Sequence, residues 1–134
     1  MEKLQTIIKD DVNKEALINI GVCAGRHEMP VTEYIFDTIH DPTNVDELEK
    51  IAFDWYHDSV RPLIRENYRV DINIYVTGLT VATAAIMRVL FLNHHYCQND
   101  DYQPFLVPYG DVKLWHFNMD NKDYYPQTIL RLNR

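Results

Sequence analysis

Val70-Asp71-Ile72-Asn73-Ile74-Tyr75-Val76 alternates apolar and polar residues, with β-branched types dominant, and runs directly into Thr77-Gly78-Leu79-Thr80. A period of two is that of a strand, and threonine and glycine immediately after it signal a turn or a helix cap. From Thr80 the chain changes character: Val81 to Leu92 is rich in alanine and too long for a strand, so it reads as a helix buried over much of its surface. That helix ends near Asn93 or at the His94-His95 pair.

Upstream, Ala16-Leu17-Ile18-Asn19-Ile20-Gly21-Val22-Cys23 is a mostly apolar run of strand length that leaves through Ala24-Gly25-Arg26-His27. Residues 3–13 stay open between a short helix, with Leu4, Ile7, Ile8 and Val12 on one face, and an edge strand through Thr6-Ile7-Ile8. Residues 28–44 hold Pro30, Pro42, Tyr34 and Phe36 and end in His40-Asp41-Pro42-Thr43-Asn44, a turn ahead of a helix. Asn44 is the cap of that helix, and Asp46, Glu47 and Glu49 suit its positive dipole end. Val45, Leu48, Ile51, Ala52 and Trp55 recur at helical spacing, to about Ser59 or beyond, with Pro62 marking a kink or break. Downstream, residues 96–111 form a polar connection. Val112–Phe117 and Tyr124–Leu130 then flank Asn118–Asp123 as a hairpin, whose last strand is an edge because Pro126 cannot donate to a ladder.

Strand, helix, strand, helix, strand is the order that right-handed crossovers turn into a parallel sheet with helices on its faces. With 134 residues, one α/β domain spanning 1–134 is expected. Hydrophobic residues at 46% and charged residues at 25% are globular values, and no apolar run approaches a membrane span. The polar start Met1-Glu2-Lys3-Leu4 lacks the pattern of a signal peptide, so a cytoplasmic location is expected. Cys23 and Cys97 stand far apart, which argues for free thiols over a disulfide framework or a zinc knuckle. A formal charge of -7 with no basic stripe argues against duplex nucleic acid as a partner but leaves a small anion open.

In a parallel sheet the ligand edge lies beyond the carboxyl ends of the strands, where helix N-termini offer amides. That edge collects Gly25, Arg26 and His27 after the first strand and Thr77, Gly78, Leu79 and Thr80 after the second. Gly78 lets the backbone approach a ligand, Thr77 and Thr80 offer hydroxyls, and Arg26 offers a bidentate contact to a phosphate or carboxylate. The same Thr-Gly-Leu-Thr also reads as an ordinary strand-to-helix cap. Neither G-x-G-x-x-G nor G-x-x-x-x-G-K-[ST] is present, against a usual dinucleotide fold or a triphosphatase loop.

His27 can move a proton or simply sit at the pocket rim, and an adjacent Glu28 does not orient it. His94-His95 suits a helix C-terminus, and the loose group His94, His95, Cys97, Asp100 and Asp101 is the only approach to a metal site, so no metal or cofactor is expected. Tyr34, Tyr56, Tyr102, Tyr109, Tyr124 and Tyr125 are placed in or near loops and amphipathic surfaces, where they stack on a base, build an interface or pack at a rim. His116 alternates with Trp115 and Phe117 and reads as a satisfied structural histidine. Cys23, on a buried strand, reads as inert.

Ile74-Tyr75-Val76-Thr77-Gly78-Leu79-Thr80, with Leu114-Trp115-His116-Phe117 and Tyr124-Tyr125-Pro126-Gln127, resembles small Rossmann-like proteins of bacterial and phage nucleotide-signal defence systems. These include ring nucleases and phage proteins that sequester cyclic nucleotide signals. The resemblance runs from residue 70 onward, and residues 28–69 match no part of it. It implies a small Rossmann-like three-layer sandwich with a mostly parallel sheet and a C-terminal hairpin. It also implies a nucleotide-derived ligand in the crevice or at a homodimer interface, contacted by Arg26, Thr77, Gly78 and Thr80, and a host-cytoplasmic location if the chain is phage-encoded. It carries over no catalytic residue.

Three functions follow as expectations. The first is capture of a small nucleotide-type anion without chemistry. The second is a metal-independent phosphodiesterase on the same pocket, with His27 as acid or base. The third is an aromatic surface that binds another protein.

Overall fold

The structure, a computed structural model, describes residues 5–8, 15–25, 28–94 and 110–132. The alternating run is a strand, β4 (Arg69–Tyr75), in which Val70, Ile72 and Ile74 are buried and the intervening side chains are half-buried. Its neighbours repeat the pattern. β2 (Glu15–Cys23) buries Ala16, Ile18, Ile20 and Val22, and β5 (Gly110–Asn118) buries Val112 and Leu114. All three are parallel and in register, so Ile18, Ile72 and Val112 form one row and Ile20, Ile74 and Leu114 the next. Each fully buried isoleucine or valine in such rows contributes about 2 kcal/mol of transfer free energy.

Three further strands complete one sheet in the order β1-β2-β4-β5-β6. β1 (Gln5–Ile8) and β6 (Asp123–Leu132) are antiparallel to their neighbours, and β3 (Tyr34–Phe36) runs parallel to β2 beyond the end of β1. Residues 5–8 of the segment left open between helix and strand are thus strand, and the connection at 28–44 contains one as well. The sheet is mostly parallel and ends in the expected hairpin, β5-β6. Pro126 sits in β6, the edge strand, opposite Trp115. The carbonyl of Trp115 is used by the amide of Val76 on the β4 side. Trp115 and Pro126 are therefore a non-hydrogen-bonded pair, and the missing proline N–H faces the open edge.

α1 (Val45–Trp55) starts as expected, with the Asn44 side chain accepting from the Glu47 amide at 3.2 Å. It does not break at Pro62. A π-helical turn, Tyr56–Val60, leads straight into α2 (Arg61–Glu66), with Pro62 in its first turn. Trp55 and Tyr56 stand seven and eight residues after the buried Leu48, on the inward face of the helix, so Tyr56, expected near a surface, is fully buried. α3 (Thr80–Val89) likewise closes in a π turn, Leu90–His94. Strand order moves the same way across the sheet from β3 to β4 and from β4 to β5, so two right-handed crossovers put α1 and α3 on one face. There they touch each other and share a single core with the buried strand rows. A three-layer form requires cover on the other face as well, and among the described residues the helices lie on the first face alone.

The other face is finished by polar and aromatic side chains. Asn73 donates to Asn19 Oδ1 at 2.9 Å and accepts from Trp115 Nε1 at 3.0 Å, which links three strands. Asp71 accepts from Arg69 Nε and from the Asp111 amide, each at 2.8 Å. Towards the carboxyl ends, the Tyr75 ring stacks on Trp115 at 5.6 Å and meets Tyr124 edge-on at 5.2 Å. Gly21 leaves room beside this row for the Tyr34 ring.

Two predictions follow from this packing. Gly110 has φ +133°, and a Cβ there would run into the Val70 carbonyl. Gly110→Ala is therefore expected to lower unfolding free energy by about 2 kcal/mol or more in urea titration. Burial raises the Tyr75 and Tyr124 pKa values, and for Tyr124 the neighbouring Tyr34 and Tyr75 add to it. A raised folded pKa means that the neutral phenol is favoured on folding. This stabilisation is complete below the unfolded value near pH 10 and fades as pH rises through the folded values. Between about pH 9 and pH 11 the melting temperature of Tyr75→Phe/Tyr124→Phe should fall less steeply than that of the wild type. Parallel curves would count against the burial of these rings.

Candidate functional site

The chain leaves β2 towards β3 on one side and leaves β4 towards β5 on the other, so the two loops part above the β2-β4 pair. In open α/β sheets a crevice forms at such a divergence, outside the carboxyl ends of the strands. One lies here, about 600 Å³ in volume, lined by Gly25, Val76, Thr77, Gly78, His116, Phe117, Met119 and Tyr125. That volume falls in the range of small-molecule sites.

Each wall comes from local structure. Gly25 ends the turn after β2 with φ +76°, a backbone conformation that favours glycine. Val76, Thr77 and Gly78 form the step between β4 and α3. Thr77 is buried, and its Oγ accepts from the Leu79 amide at 3.3 Å, so the hydroxyl shapes the turn and retains its own proton to donate. Gly78 is exposed, and among the described residues nothing lies within 4 Å of where a Cβ would stand. Leu79 is the residue before α3, where no side chain caps the helix, and Thr80 is its exposed first residue.

The hairpin supplies the opposite wall. His116 Nε2 lies 2.8 Å from Gln127 Oε1 across the β5-β6 ladder, and its ring leans on Tyr125 with centroids 5.4 Å apart. Tyr125 is 50% exposed and Met119 67%, so aromatic and thioether surface stands open at the rim.

Of the residues expected from sequence, Gly25, Thr77 and Gly78 are brought together on the crevice wall, while Leu79 and Thr80 flank it at the start of α3 without lining it. Arg26 and His27 lie outside the described residues. So do His95, Cys97, Asp100, Asp101, Tyr102 and Tyr109. Among the described residues the wall holds no lysine or arginine, and no group of three or more metal-ligating side chains occurs. Cys23 is buried, as expected, with its thiol 3.5 Å from the Ala24 carbonyl. His116 is hydrogen-bonded, as a structural histidine would be, but it also faces the crevice. Its alternation with Trp115 and Phe117 was visible in the sequence. His116 stands on the same side of β5 as the buried Val112 and Leu114, two residues past the latter, and the β6 pairing sets Tyr125 opposite it.

No family model, curated protein or solved structure matches the chain.

Proposed function

We propose that the protein binds a small nucleotide-type anion in the crevice at the carboxyl ends of its parallel strands. The observation that supports this reading is the joining, in one volume, of two different kinds of wall. One is backbone and hydroxyl, from Gly25 and from Val76 to Gly78; the other is aromatic and imidazole, from His116, Phe117 and Tyr125. The first suits a phosphate approached by main-chain amides, and the second suits the face of a base. Arg26, next in sequence to Gly25, would add the charge that the described wall lacks. A cyclic nucleotide signal presents both parts in a compact shape, and its capture requires no chemistry.

In the finer reading of the fold, the domain is Rossmann-like and works as a homodimer, and a third layer over the face of Asn73 and Trp115 would have to come from outside the described residues. Cleavage of the same ligand by a metal-independent route is the rival use of the site, with His27 as acid or base and a group such as Arg26 stabilising developing charge.

The test is incubation of the purified protein with a panel of cyclic and linear nucleotides, followed by heat denaturation and chromatography of the released ligand. An intact nucleotide that also raises the melting temperature is the expected result. Gly78→Ala, which meets open space in the free protein, should leave stability within about 0.5 kcal/mol and weaken binding. A cleaved nucleotide would make the protein an enzyme, and failure of the whole panel to bind would overturn the reading.

A further inference from the structure

The loop that leaves β2 for β3 lines the crevice at its start, through Gly25. Its base is closed by main-chain bonds: the Gly21 amide donates to the Glu33 carbonyl at 2.9 Å and the Ala24 amide to the Phe36 carbonyl at 3.0 Å. Further along, Val31 is buried, and Met29 Sδ and the Tyr34 ring crowd the place of a Cβ on Gly21. Glu28 is exposed, and its carbonyl accepts from the Tyr124 hydroxyl at 3.3 Å, a contact between residues 96 apart in the chain. Because Glu28 follows Gly25 by three residues, fixing the one keeps the other within about 11 Å of it. Tyr124 is itself held by its ring, which meets Tyr75 and Phe117 edge-on, each at 5.2 Å. Phe117 lines the crevice on the hairpin wall.

We propose that Tyr124 is a positioning residue of the crevice, holding the loop wall at Gly25 in place against the hairpin wall at Phe117. Its hydroxyl ties down the loop at Glu28, and its ring fixes that hydroxyl to the hairpin. A ligand that touches both walls then meets them already ordered, and preorganisation of this kind raises affinity without a new contact. Tyr124 is outside the described lining, so it acts through Gly25 and Phe117 and does not touch the ligand. The effect on affinity rests on the nucleotide reading, whereas the effect on the loop is a property of the free protein.

The experiment compares Tyr124→Phe, which keeps the ring and loses the hydroxyl, with Tyr75→Phe, which removes the hydroxyl of the neighbouring ring. In the ligand-free, isotope-labelled full chain, amide relaxation should show Tyr124→Phe loosening Gly25, Glu28 and Met29 while Val31 and the strand rows keep wild-type order. Tyr75→Phe should leave all of them unchanged. A cyclic dinucleotide should bind Tyr124→Phe about fivefold more weakly than the wild type, the scale of one net hydrogen bond, and Tyr75→Phe less than about twofold more weakly. Wild-type order at Gly25 and Met29 in Tyr124→Phe would overturn the proposal. So would equal loss of affinity in the two variants, or full affinity in the presence of a loosened loop. A wild-type chain that binds no cyclic dinucleotide would remove the nucleotide reading, and the relaxation comparison alone would then decide whether Tyr124 holds the wall.

Discussion

The packing of three parallel strands against helices on one face is the constraint on which the rest of the molecule depends. The rows Ile18-Ile72-Val112 and Ile20-Ile74-Leu114 bury only if β2, β4 and β5 run the same way and in this register. Parallel neighbours cannot be joined by tight turns, so the chain must cross over, and the crossovers carry α1 and α3 onto those rows. The same parallel arrangement gathers the carboxyl ends of all three strands at one edge. A crevice there is thus a consequence of how the core is buried.

The two faces of the sheet divide the labour. On the helical face, side chains from Ala16 to Leu114 make one dry core with Leu48, Ala52, Tyr56, Ala82 and Ile86. On the other, the Asn19-Asn73-Trp115 chain links three strands, Asp71 accepts from Arg69 and from the Asp111 backbone amide, and the aromatic row from Tyr75 to Tyr124 covers the carboxyl ends. Half-buried polar ladders of this kind also fix register, since a slip of one residue would drive Asp71 and Asn73 into the core.

This division is why much of the fold was legible in the sequence. Strict alternation in β4, the alanine-rich run of α3, the Asn44 cap and the edge position of Pro126 each follow from local chemistry, and each is found. Gly25, Thr77 and Gly78 were legible for the same reason, as the residues that end strands. What was not legible depends on non-local geometry. β3 is three residues whose strand character comes from pairing with Gly21 and Cys23, and the π turn Tyr56–Val60 that carries the helix on into Pro62 is announced by no spacing. Tyr125 reaches the crevice because the hairpin register sets it opposite His116, which follows Val112 and Leu114 on the helical side of β5.

The central claim is that the crevice takes a nucleotide-type anion, with its amides and hydroxyl on one side of the ligand and its aromatic wall on the other. Titration of the isotope-labelled protein with a cyclic dinucleotide, followed by amide and side-chain chemical shifts, tests that claim most directly. The account predicts saturable shifts concentrated at Gly25, Thr77, Gly78, His116 and Tyr125, with the polar face around Asp71 and Asn73 unmoved. Shifts that avoid these residues, or that never saturate, would contradict it.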